Sequence, residues 1–267
     1  MTRRNKGIFV RRYGADQCWI CGSMENPSRE HKFKASDLRR HYGDQALYVG
    51  HEDAGNFTGS HAQGLGSKHL KFKSTICQRC NSTVTQASDR AYDKFVQVVE
   101  VADDEEAAIA TAYTHIDCLK GTDEYTSLFR YFAKLLGCHL ADISAPIPTH
   151  LSRFVAKKTN RNCIWLGTRA DVSYADMASR LGERGPYAAH GGLVVITKAP
   201  KLLPARLYST STVGAMQFIF YFVLTLPEIW EMRLRHPKFI RWCADSAKAA
   251  IETPISEDQL RRLGLLE

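Results

Sequence analysis

Two short stretches decide how this chain reads: CWICGSMENPSREHK, residues 18–32, and CQRCN, residues 77–81. Each holds a Cys-x-x-Cys pair, Cys18 with Cys21 and Cys77 with Cys80. Two intervening residues let both thiolates of a pair turn toward one ion, and two such pairs complete a closed tetrahedral site. Gly22 follows Cys21, as the tight turn of a metal knuckle requires. A thioredoxin-like redox motif would need one pair in a βαβ setting, and two pairs this far apart do not fit it. The expected occupant is a structural Zn2+ on Cys18, Cys21, Cys77 and Cys80.

The rest of the chain is consistent with a globular protein in a reducing compartment, and the expected location is cytoplasmic. Its 267 residues are long enough to bury a core without disulfides, and eight cysteines are too sparse for a disulfide scaffold. Cys118, Cys138, Cys163 and Cys243 sit in apolar surroundings and read as core. The first residues, MTRRNKGIFVRRYG, carry charge but no apolar run of the secretory type. The densest apolar stretch, VGAMQFIFYFVLTL (residues 213–226), is too short to span a bilayer, so it reads as a buried strand or core helix and no membrane partner is expected.

Charge divides the chain. Residues 1–95 hold 16 Lys+Arg against 9 Asp+Glu, residues 96–145 hold 3 against 9, and residues 146–267 hold 17 against 10. Two blocks of +7 flank one of −6, which suggests separate modules and an anionic partner for the basic ones. The expected fold class is α+β: an N-terminal zinc-stapled module over residues 1–102, an acidic helical spacer over 103–145, and a C-terminal mixed α/β module over 146–267. The linker ISAPIPTH (residues 143–150), with two prolines, marks the last boundary. Residues 1–17 read as a mobile lead-in, His41 to Ser67 as one long Gly- and His-rich loop, and HLKFKSTIC (residues 69–77) as a strand. Helices are expected from Cys77 to Val101, over residues 103–119 and 123–141, and late in the chain at FIRWCADSAKAAI. NCIWLG, GGLVVIT and RLYSTSTVGAMQFIFYFVL read as strands.

Between the cysteine pairs lie Glu30 and His31, and Asn81 follows the second pair directly. CWICG, then EH, then CQRCN opening a helix resembles the HNH endonuclease family in its zinc-stapled form, over residues 18–95. The resemblance implies a ββα-metal module, in which a β-hairpin and a helix cradle one divalent ion and the four cysteines clamp hairpin to helix. It implies His31 as general base, with Glu30 and Asn81 as further catalytic residues that hold Mg2+ or Mn2+. The chemistry agrees: imidazole titrates near neutrality, and a carboxylate and an amide oxygen are hard ligands suited to these ions. Adjacent strand residues point to opposite faces, so Glu30 and His31 serve one site only through a bend or a split of roles.

The chain departs from the family at the middle Asn, which usually lies shortly before the second pair and braces the loop that orients the base. LKFKSTIC has no Asn, and Ser67, His69 or the more distant Asn56 are its candidate replacements. Asp89 reads as an extra ligand, a brace for Arg90 or a solvated charge, and Asp93 as a solvated charge. Lys32, Lys34, Arg39, Arg40, Lys71, Lys73, Arg79 and Arg90 form the expected phosphate-contacting group. His41, His51 and His61 are lone loop histidines that could touch substrate.

The expected function is therefore a metal-dependent endonuclease, with DNA favoured over RNA, of the kind used in restriction or anti-phage defence. The C-terminal module would select the target, regulate cleavage, bind a protein partner or form an oligomer. The alternative is a non-catalytic zinc module that binds nucleic acid or a protein.

Overall fold

The structure is a computed structural model that describes residues 7–53, 56–100, 121–170, 187–198, 202–213 and 216–252. It is mixed α and β, as expected. Strand β1 (Val10–Arg11) comes first, followed by β2 (Pro27–Ser28), α1 (Ala35–Tyr42), β3 (Leu47–Asp53) and β4 (Asn56–Ala62). A 3-10 turn (Lys68–Leu70), β5 (Ile76–Cys77) and a π-helical turn (Arg79–Val84) lead into α2 (Gln86–Glu100). Then come α3 (Asp123–Asp142), β6 (Ile147–Pro148), α4 (Thr149–Val155), β7 (Ile164–Ala170), β8 (Tyr187–Gly191) and β9 (Val194–Lys198). The last elements are β10 (Leu203–Val213), β11 (Met216–Val223), α5 (Leu226–Arg235) and α6 (Pro237–Glu252).

The N-terminal stretch forms a ladder and a helix. β2 pairs antiparallel with β5, Pro27 opposite Cys77 and Ser28 opposite Ile76. The ladder resumes after a bulge: Phe72 donates its N–H to the Glu30 carbonyl at 2.9 Å and Lys32 to the Leu70 carbonyl at 2.7 Å, with His31 bridging to Lys71. The chain then turns through residues 79–84, where the Thr85 hydroxyl donates to the carbonyls of Cys80 (3.0 Å) and Asn81 (3.1 Å), and enters α2. Of the helical series Ala87, Ala91, Phe95 and Val98 or Val99, the residues Ala91, Phe95 and Val99 are buried against the core, while Ala87 is exposed near the start of α2.

Three expectations about this stretch are corrected. Residues 41–67 are not one loop: they complete α1 and form a hairpin, β3 against β4 from Leu47–Ala62 to Asp53–Asn56. Their Gly and His residues hide the alternation, and the strands are specified by pairing with a distant partner, β8, parallel to β3. HLKFK is not a strand, because Ser67 caps a 3-10 turn by accepting the His69 N–H, so only Lys71 joins a bridge. The lead-in is fixed from residue 7 onward. β1 pairs with β6, and the Glu231 carboxylate accepts the N–H groups of Ile8, Phe9 and Val10 at 3.0, 2.6 and 3.1 Å.

Strands β7 to β11 join the hairpin in one seven-stranded sheet of order β4-β3-β8-β10-β11-β7, with β9 alongside β10. MQFIFYFV is a strand of this sheet, and no described helix is long and apolar enough to cross a membrane. Phe218, Phe220 and Phe222 point to one face, where α3 covers them, and Leu207 and Val195 share that cluster with Ile240 and Cys243 of α6. Helix α3 begins where Thr122 accepts the Tyr125 N–H, and residues 126–140 are all buried. Its Arg130 closes the end of α4, with Nε to the Phe154 carbonyl at 2.9 Å. One apolar cluster thus includes Trp19, Phe95, Phe132, Phe154 and Phe220, residues from all three of the segments that charge distinguishes. The expected helix over 103–119 lies outside the described residues.

Candidate metal centre and active site

The four cysteines come together at one end of the ladder, where the start of β2 lies beside the end of β5. Cys18, Cys21, Cys77 and Cys80 place their sulfurs all within 4.8 Å of one another, and Cys21 Sγ lies 3.6 Å from Cys77 Sγ. A tetrahedral zinc with Zn–S of about 2.3 Å separates its sulfurs by about 3.8 Å, so this donor set fits such an ion. Gly22 sits at φ +82°, the left-handed turn expected of the first knuckle, and donates its N–H to the Cys18 carbonyl at 2.7 Å. Hydrogen bonding from the Cys80 thiol pulls Cys18 down to about 5, and the same bond pushes Cys80 up. Three of the four cysteines are buried and Cys21 is exposed. The cluster can hold a structural metal such as zinc.

The first knuckle is locked to α3. Trp19 is fully buried and donates its indole N–H to Cys138 Sγ at 3.4 Å. Its ring lies over Gly137, where a Cβ would come within 2.2 Å of Trp19 Cη2, so no larger residue fits without movement.

His31 is half-buried on the ladder opposite Lys71, with the Leu65 backbone near its ring. Burial depresses its pKa below 6.5; Glu30 opposes this, and Lys71 reinforces it. Burial thus favours the neutral imidazole, the form able to accept a proton. Leu65 lies in a turn closed by Ser67, whose N–H reaches the Gly64 carbonyl at 3.0 Å and whose hydroxyl caps the following 3-10 turn. Ser67, one of the three candidate replacements for the absent middle Asn, thus closes one turn and caps the next. The same loop lines a shallow groove with His61, Gln63, Lys68 and His69.

Asn81 sits in the π-helical turn, and its Nδ2 donates to Ser28 Oγ at 3.1 Å, which ties helix to ladder and leaves Oδ1 as its acceptor end. Glu30 Oε2 lies 3.2 Å from the ammonium of Lys134, and that ammonium donates to Asp89 Oδ1 at 2.7 Å. Lys134 is fully buried on α3. Burial alone would depress its pKa, but Glu30 and Asp89 outweigh that and hold it above the ordinary lysine value. Asp89 is thus a partner of Lys134 rather than a brace for Arg90. Asp93 is not a solvated charge: it pairs with Lys34 at 3.1 Å and accepts the Ser36 hydroxyl at 2.8 Å.

The basic group divides. Lys34 turns inward, donating also to the Asp89 carbonyl at 3.0 Å, and Lys32 and Lys71 are half-buried. Arg40 pairs with Asp37 at 2.8 Å, and Arg39 approaches Asp44 at 3.8 Å. Arg39, Arg40, Lys73, Arg79 and Arg90 are exposed. His41 packs on Tyr42 and His61 on Tyr48, while the side chain of His51 and that of Asn56 lie outside the described residues.

Sequence reasoning missed Lys134 and the Leu65 backbone. The signal for Lys134 was a lone cation in the apolar run YFAKLLGC; a backbone group leaves none. No family model matches the chain, and neither does any curated protein or solved structure.

Proposed function

We propose that residues 18–95 form a zinc-stapled, HNH-type endonuclease module that hydrolyses phosphodiester bonds, with DNA as the favoured substrate. The observation that carries this is the place of His31: a half-buried imidazole bridged antiparallel to Lys71, on the ladder that the cysteine cluster and the Asn81–Ser28 bond hold to the helix. An imidazole nitrogen of His31 accepts a proton from water as the water oxygen forms its bond to phosphorus and the ester oxygen departs. Arg79, Lys73 and Arg90, exposed around the joint, are suited to phosphate contacts.

Glu30 keeps Oε1 beside the oxygen that Lys134 takes, and Asn81 keeps Oδ1. These two hard oxygens fit Mg2+ or Mn2+, which binds through one or two protein oxygens plus phosphate and water. When bound, the ion supplies charge neutralisation at the scissile phosphate.

The experiment is plasmid nicking by the zinc-loaded protein with Mg2+ or Mn2+. His31→Ala is expected to lower the rate about 10²–10⁴-fold while zinc content and nucleic-acid binding stay unchanged. Cleavage by His31→Ala at the wild-type rate ends the assignment. A non-catalytic zinc module is favoured by one observation, the Lys134 ammonium already on Glu30. Absence of metal-dependent nicking with intact zinc binding would select it.

A further inference from the structure

The two faces of the C-terminal sheet differ in kind. The inner face is closed by α3 and α6 over Phe218, Phe220, Phe222 and Leu207. The outer face carries large side chains that stay in solvent: Trp165 is 61% exposed, Val223 and Ile196 44%, and Val194 39%. Register aligns them. Trp165 pairs with Tyr221, Tyr221 with Tyr208, and Tyr208 with Val194, so one row crosses β7, β11, β10 and β9 with aromatic rings on three of the four strands. Trp165 and Tyr221 are parallel, 7° between planes and 6.1 Å between centroids. Arg206 lies over the Tyr221 ring at 5.8 Å.

Charge identifies the occupant. The segments IWLGTRA, VVITK, LPARLYSTSTV and MQFIFYFV contain Arg169, Lys198 and Arg206 but no Asp or Glu. Lys198 and Arg206 are exposed. A row of aromatic rings flanked by cations and free of carboxylates matches a ligand with flat apolar rings on an anionic backbone. In a duplex the base faces are already stacked, whereas a single strand leaves them open to aromatic side chains.

We infer that the outer face of this sheet is a binding platform for single-stranded nucleic acid, with Trp165 and Tyr221 stacking bases and Arg206 and Lys198 meeting phosphates. The platform stands on the sheet alone and does not depend on cleavage at His31.

The test is fluorescence anisotropy of a fluorescein-labelled 20-mer of oligothymidylate, and of oligouridylate, with the full-length zinc-loaded protein and no added divalent ion. Wild type should bind the single strands more tightly than a 20-base-pair duplex. Trp165→Ala and Tyr221→Ala should each weaken single-strand binding about tenfold, while Tyr221→Phe retains it, as a stacking role requires. Arg206→Ala should flatten the salt dependence, which Trp165→Ala should leave unchanged. Trp165 and Arg206 are exposed and Tyr221 is half-buried, and unchanged zinc content and circular dichroism verify the variants' fold. Single-strand affinities of Trp165→Ala and Tyr221→Ala equal to wild type overturn the platform. So does a wild-type dimer that Trp165→Ala converts to monomer, which would make the face a self-association surface. Binding that responds to these variants in a protein that never cuts keeps the platform and removes the nuclease; cutting with variant-insensitive binding does the reverse.

Discussion

Replacing Lys134 by Met tests the link between the ladder that carries Glu30 and the helical core. The ammonium is fully buried, 2.7 Å from Asp89 and 3.2 Å from Glu30, whose side chains are only 22% and 13% exposed. At an effective dielectric near 20 these contacts are worth about 6 and about 5 kcal/mol in gross Coulomb energy. Most of that offsets the cost of taking the lysine out of water. Methionine fills a similar volume but strands two carboxylates, and breaking a buried pair costs about 3–5 kcal/mol. Both carboxylates retain some solvent, so the low end, about 3 kcal/mol, is expected. For a chain of this size that corresponds to a fall in Tm of about 6–12 °C, measured by differential scanning calorimetry of the zinc-loaded protein. Adding Glu30→Gln and Asp89→Asn to Lys134→Met should recover most of the loss, because a neutral cluster has no stranded charge. A Lys134→Met protein that melts within a degree of wild type would refute the triad as a structural element.

Four further outcomes are expected. Cys77→Ser should abolish zinc retention, read by metal analysis, and unfold the N-terminal module with it, because binding energy there is folding energy. Gly137→Ala should lower stability by about 1–3 kcal/mol in urea unfolding, since its methyl meets the locked Trp19 ring. Asn81→Ala should raise the Mg2+ or Mn2+ concentration needed for half-maximal nicking, with excess Mn2+ restoring the rate; an unchanged requirement removes Asn81 from the ion. His236 concerns pH: burial first, and then Arg12, depress its pKa below 6.5, so the folded protein resists a proton that the unfolded chain accepts. Stability should therefore fall as pH drops below about 6.5 toward the folded value, and His236→Gln should melt with a smaller difference between pH 7.5 and 5.5 than wild type.

The sequence alone determined what local spacing encodes. Cys-x-x-Cys pairs fix the ligand geometry of a knuckle whatever surrounds them, so Cys18, Cys21, Cys77 and Cys80 were legible as one cluster, and Gly22 as its turn. Helices with a strong apolar period, such as Asp123–Asp142, and strands with β-branched and aromatic runs, such as Met216–Val223, were legible for the same reason. The hairpin of Leu47–Asp53 and Asn56–Ala62 was not, because its partner strand lies more than a hundred residues away and its own glycines and histidines carry no alternation. Nor did the bland linker at residues 143–150 reveal that one apolar cluster includes residues on both sides of it. Tertiary structure alone decided the company each candidate site residue keeps: Leu65 against His31, Ser28 against Asn81, and Lys134 between Glu30 and Asp89. A contact between segments tens of residues apart in sequence depends on how the chain packs, and packing energies are sums over many contacts that no single window of sequence contains.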